Sequence, residues 1–152
     1  MVARGAVRIS IGVTIDAPRD VVWDAVEPIE RHTEWMADAV SITFTSPQHR
    51  GVGTRFDCLT QVGPFRTVDK MIITSWEPQR RMGIEHEGVF RGTGQFTLGR
   101  LPNGRTRFVW TERLRFPWWL GGPIGALAAT PILRRIWRKN LTRLKRLVES
   151  GA

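Results

Sequence analysis

The pattern of the amino-acid sequence points to an α+β fold: a curved antiparallel sheet of about seven strands wrapped around a long C-terminal helix, with two short helices near the N-terminus. Three observations carry this. The chain opens on an alternating apolar run. Its middle is a succession of strand-like stretches punctuated by turn residues. It closes on one long amphipathic segment. That order lets a curved sheet grip a single helix, and a sheet curved around a helix leaves a hollow between the two.

In the opening strand, Val7, Ile9, Ile11, Val13 and Ile15 alternate with Arg8, Ser10, Gly12 and Thr14, the period-two mark of a half-buried strand. Asp16-Ala17-Pro18 then starts a helix over residues 18–26. Pro18 suits the first helical position, Asp20 and Asp24 favour the positive end of the dipole, and Val21, Val22, Ala25 and Val26 form the apolar stripe. Pro28 ends this helix, and a second short one is expected over 29–35. Strands follow at 40–45, 54–60, 65–76, 81–87, 90–98 and 105–115, separated by Gly51-Val52-Gly53, Gly63-Pro64, Glu77-Pro78, Gly88 and Pro102-Asn103-Gly104. Asn103-Gly104 is a hairpin signal, and sequential short-linked strands imply an antiparallel meander. In the closing helix Leu133, Ile136, Trp137, Leu141, Leu144, Leu147 and Val148 share one face. Arg134, Arg135, Arg138, Lys139, Arg143, Lys145 and Arg146 share the other. Pro131 is expected to kink or break the helix just before this segment.

The 152 residues form one expected domain, 1–152, large enough for a core with a pocket in it. Cys58 is the only cysteine, so no internal disulfide forms. The N-terminal residues, from Met1 to Arg8, lack an apolar signal-peptide core, so a cytoplasmic location is expected. Charge is unevenly spread: residues 1–99 carry 11 basic and 12 acidic side chains, residues 100–152 carry 12 basic and 2 acidic. The basic excess is either a solvated face or an attractor of anions.

Several segments resemble the START-like, or SRPBCC, superfamily, and within it the bacterial polyketide cyclase/dehydrase and lipid-transport group. They are Ile15-Asp16-Ala17-Pro18-Arg19-Asp20-Val21-Val22-Trp23 with Trp35 soon after, Gly51-Val52-Gly53-Thr54-Arg55, and Ile73-Thr74-Ser75-Trp76-Glu77-Pro78 before Arg80-Arg81-Met82. Gly104-Arg105-Thr106-Arg107-Phe108 and the terminal Leu141 to Glu149 complete the set. The resemblance implies a helix-grip fold over nearly the whole chain. It leaves the function open among lipid carriers, receptors, cyclases and hydrolases.

Alternation also selects inward-facing residues. Phe108, Trp110 and Glu112 share a face of the last strand, as do Met82, Ile84 and His86 in the 81–87 strand. Phe65, Thr67, Asp69, Met71 and Ile73 form one face of the long strand; Phe96 with Leu98, and Phe56 with Cys58, are assigned inward in theirs. The expected ligand wall takes Phe56, Asp69, Met71, Ile73, Met82, Ile84, His86, Phe96, Phe108, Trp110 and Glu112 from these strands. Trp35 and the small Ala126 and Ala129 of the closing helix join it. Asp69, His86 and Glu112 fall among apolar neighbours and must be paired, exposed or shifted in pKa. They are either ligand-orienting groups, acid–base catalysts with His86 as proton carrier, or residues at a rim position or in an internal salt bridge, such as Glu112 with a nearby arginine.

His32, His49 and His86 have no metal-ligand spacing, so neither a metal nor a cofactor is expected. The uncharged stretch 116–133, with its prolines and glycines, is unsuited to spanning a membrane. Trp118 and Trp119 either pack under the helix or, with Arg134, Arg135, Arg138 and Lys139, touch an anionic membrane peripherally. The basic face has no interleaved aromatics, which argues against nucleic acid. Binding of a hydrophobic small molecule (lipid, polyketide or isoprenoid-like) by a monomer or homodimer leads, with a cyclase or dehydratase activity as the alternative.

Overall fold

The computed structural model describes residues 6–151; residues 1–5, on which most of the signal-peptide expectation rests, and residue 152 lie outside the described residues. Seven strands form one antiparallel sheet: β1 (Val7–Ile15), β2 (Ala39–Phe44), β3 (Arg55–Val62), β4 (Phe65–Glu77), β5 (Arg81–Glu87), β6 (Arg91–Arg100) and β7 (Thr106–Arg115). Their order across the sheet is β1-β7-β6-β5-β4-β3-β2. Strands β2 to β7 thus form a meander, and β1 closes onto its last member. The sheet curves around α2 (Gly122–Glu149) in the helix-grip arrangement, with α1 (Arg19–Val26) and a 3-10 turn at Ile29–Glu34 between β1 and β2.

In β1, Ile9, Ile11 and Ile15 are buried, so the alternation seen in the sequence is the alternation of the pleat. Pro18 caps α1 rather than entering it: its φ of −70° fits a helix but its ψ of 161° is extended. The buried stripe of α1 is Val22, Trp23 and Val26, while Val21, expected inside, is exposed. In so short a helix the large indole takes the core position, edge-on to Trp76 at 5.5 Å, and its Nε1–H donates to Glu27 at 2.8 Å. Asn103 and Gly104 both adopt positive φ in the loop between β6 and β7, as a tight reversal demands.

Of the kink or break expected at Pro131, the break does not occur; α2 runs through it as one helix. Proline removes one donor, which would have served the Leu127 carbonyl. Both residues face solvent, where water replaces the lost bond. Beyond Pro131, Trp137, Leu141, Leu144 and Val148 are buried, and the helix packs chiefly against β1. Three polar contacts lock this half. Asn140, fully buried, accepts from the Ala37 amide at 3.0 Å and donates to Asp38 at 2.7 Å. Lys145 donates to the Thr14 carbonyl at 2.9 Å.

Candidate functional site

Between the sheet and the first half of α2 lies a hollow of about 330 Å³. The parts of its wall from β3, β4, β5 and β7 are built in steps of two, as a pleated sheet requires. Phe56, Cys58, Thr60 and Val62 come from β3, and Phe65, Thr67, Asp69, Met71 and Ile73 from β4. Met82, Ile84 and His86 follow from β5, Gly94 and Phe96 from β6, and Trp110, Glu112 and Leu114 from β7. Helix α2 adds Ala129, Ile132, Leu133 and Trp137. Bulges interrupt β2 against β3 and β4 against β5, the second beyond Ile73, so the phase of the β4 wall is undisturbed.

Eleven of the fourteen residues expected on the wall line the hollow: Phe56, Asp69, Met71, Ile73, Met82, Ile84, His86, Phe96, Trp110, Glu112 and Ala129. Trp35, Phe108 and Ala126 do not. Trp35 and Phe108 lie fully buried below it, in an aromatic floor where Trp35 meets Phe96 at 5.7 Å and Phe108 at 6.4 Å. Trp110 and Trp137, stacked at 4.9 Å, join that floor to the cavity wall. Ala126 is fully buried in packing, and one turn on, Ala129 takes the open position. His32, Asp38, Phe90, Leu114, Phe116 and Leu120 also border the hollow and were not anticipated. Leu114 was legible, being two residues beyond Glu112; the others sit in connections or at strand ends, where periodicity carries no facing information. Phe65 and Ile132, both lining and both exposed, mark the mouth, and Phe90 bridges Phe65 and Phe116 there.

One end of this apolar wall is polar. His86 Nδ1–H donates to both Asp69 oxygens at 2.9 and 3.0 Å, and Nε2–H donates to Glu112 Oε2 at 2.8 Å. The indole of Trp110 donates to the other Glu112 oxygen at 2.9 Å. Burial by itself would push His86 down, but the Glu112 charge, hydrogen bonds to both carboxylates and the Asp69 charge outweigh it and raise its pKa to about 10. At neutral pH it is an imidazolium between two carboxylates. With both N–H groups engaged, it has no lone pair with which to take a proton from a substrate.

The cluster depends on glycine. His86 stands on β5 and Glu112 on β7, two strands apart, and their side chains meet over β6 because Gly94, paired with Glu112 in the register, has none. A Cβ at residue 94 would lie 2.7 Å from the Glu112 carboxyl carbon. Glycine inside a strand signals such a close approach. His32 behaves differently. Burial drives its pKa down to about 4, against the bond its Nε2–H makes to the Val26 carbonyl at 2.7 Å and the Glu30 charge, so it is neutral. Burial also raises the Cys58 thiol to about 11, with Thr60 opposing. Cys58 is not a nucleophile at neutral pH. Of the residues expected to meet a membrane, Trp118, Trp119, Arg135, Arg138 and Lys139 are exposed and Arg134 is half-buried, so the tryptophans do not pack beneath the helix.

A sheet gripping a C-terminal helix over an apolar hollow is the architecture of the START-like proteins. Within that class the chain belongs to the family described as polyketide cyclase / dehydrase and lipid transport, which matches residues 6–149. Three solved structures share the fold at low identity. TTHA0849 from Thermus thermophilus superposes with a TM-score of 0.78 at 17% identity, covering 96% of this chain and 99% of that one. A START superfamily protein from Mycobacterium smegmatis gives 0.76 at 13%, covering 95% and 99%. The ZhuI aromatase/cyclase from a Streptomyces species gives 0.75 at 16%, covering 95% and 94%. No curated protein matches the chain.

Proposed function

We propose that the protein binds a hydrophobic small molecule, of lipid, polyketide or isoprenoid kind, in the hollow between the sheet and α2, as a carrier or binding protein. The observation that carries this reading is a cavity of about 330 Å³ whose wall is mostly apolar, with a hydrogen-bonded cluster of ionisable side chains at Asp69, His86 and Glu112. Such a wall favours a ligand with an apolar body and one polar end. Membership of a family described by lipid transport as well as cyclisation agrees with it. A cyclase activity using His86 as a base is the weaker reading, because both ring nitrogens donate to carboxylates.

Native mass spectrometry on gently purified protein tests the reading directly. A stoichiometric apolar adduct, lost in Ala129→Trp while the fold persists by circular dichroism, is the expected result. An adduct retained by a folded Ala129→Trp protein would place the ligand elsewhere. Failure of any long-chain amphiphile added at micromolar concentration to bind would overturn the proposal.

A further inference from the structure

We propose that the outer face of α2, together with the Trp118–Leu120 turn before it, docks the protein on an anionic lipid bilayer, with the cavity mouth at the contact.

Residues at positions 124, 127, 128, 131, 135, 138 and 139 fall on one stripe of the helix at about 100° per residue, and all of them are exposed. The stripe is divided along its length. Its first half is apolar, with Ile124 81% and Leu127 67% exposed; its second half is Arg135, Arg138 and Lys139. Trp118, 87% exposed, and Trp119 extend the apolar half in the turn immediately before the helix. Large apolar side chains exposed to this degree, side by side, are uncommon on a protein surface that meets only water. Tryptophans at one end and arginines and lysine at the other match a bilayer interface, where indoles sit at headgroup level and cations meet anionic phosphates.

Charge narrows the occupant further. Residues 113–148 hold nine basic side chains and no acidic one. A second copy of this chain would set the same arginines against each other, whereas an anionic surface neutralises them all. No helix among the described residues is long and apolar enough to cross a membrane, so the contact is peripheral. Ile132 belongs both to the exposed surface and to the cavity wall, which joins the docking face to the mouth. The inference stands on the surface alone and holds whether or not the cavity carries a ligand.

Cosedimentation of the full chain with vesicles of phosphatidylcholine, with and without phosphatidylglycerol, tests it. The expected result is pelleting with the anionic vesicles at low salt that weakens as salt rises. Leu127→Glu and, separately, the pair Arg135→Glu/Arg138→Glu should each lower the bound fraction at least about tenfold. All three positions are exposed, and circular dichroism checks that the variants remain folded. Three outcomes would overturn the proposal: no pelleting with anionic vesicles, pelleting indifferent to both variants, or a concentration-dependent dimer abolished by Leu127→Glu in the absence of lipid.

Discussion

At the scale of the residue, the two buried histidines have opposite electrostatics, and that sets the pH dependence of stability. His86 rises from about 6.5 to about 10 on folding, so its contribution is complete below pH 6.5 and is lost as pH climbs towards 10. His32 falls from about 6.5 to about 4, so its contribution is complete above pH 6.5 and is lost as pH drops towards 4. For these two groups stability is greatest near pH 6.5 and declines on either side by at most about 1.4 kcal/mol per pH unit per group. Urea midpoints measured from pH 4 to 10 should show both limbs. His86→Gln should erase the alkaline limb, keep the acid one, and cost about 3–5 kcal/mol by leaving the buried Glu112 and half-buried Asp69 carboxylates uncompensated; an unchanged alkaline limb in that variant would refute the assignment. Gly94→Ala should cost about 1–3 kcal/mol through its collision with the Glu112 carboxyl group, and much less when Glu112 is already alanine, a coupling that a double-mutant cycle reads. The same cluster sets a preference among ligands. Two carboxylates around one imidazolium leave a formal negative charge, and no Lys or Arg among the described residues forms an ion pair with either carboxylate. Decylamine should therefore bind more tightly than decanol, and decanol more tightly than decanoate. About tenfold should separate the amine from the carboxylate, and Asp69→Asn should narrow that gap. Calorimetric titration with the three compounds decides it, and equal affinities would show that the charge goes unread.

At the scale of the element, strand boundaries were the most legible feature. Strands β1 and β5 begin and end where alternation begins and ends, because each is flanked by residues that break it: Asp16-Ala17-Pro18 after β1, and Glu77-Pro78 and Gly88 around β5. Alternation also assigned most of the cavity wall, since a strand's phase is a local property. The meeting of His86 with Glu112 was not legible, because it depends on the registers of β5, β6 and β7, and register is long-range. Helix α2 marks the opposite limit. Its first half, Gly-Pro-rich and apolar on its outer side, carries no amphipathic signature, and Pro131 reads as a kink or break. Tertiary packing on the far side and solvent on the near side override both signals. Because Pro131 faces water within an otherwise continuous helix, Pro131→Ala should stabilise the protein by about 1–3 kcal/mol, seen as a raised urea midpoint. A lowered midpoint would show that the ring is needed for packing.

At the scale of the whole molecule, β1 and α2 complete one another although they lie at opposite ends of the chain. Val7 pairs with Leu114, Ile15 with Thr106, and the remaining face of β1 is covered by α2. Strands β2 to β7 need only their sequence neighbours to pair, whereas β1 must close a loop of about 100 residues, an entropic cost that local hairpins avoid. In refolding followed by pulsed hydrogen exchange, the amides of Ile9 and Ile11 should gain protection after those of β5 and β6; simultaneous protection would place β1 in the folding nucleus. During synthesis the asymmetry becomes a matter of time. Strand β1 emerges with its isoleucines uncovered, while β7 and α2 are still untranslated. At the ordinary pace of about 5–20 residues per second, it waits several seconds in that state. About 100 further residues must therefore leave the ribosome before β1 has its strand partner to hold.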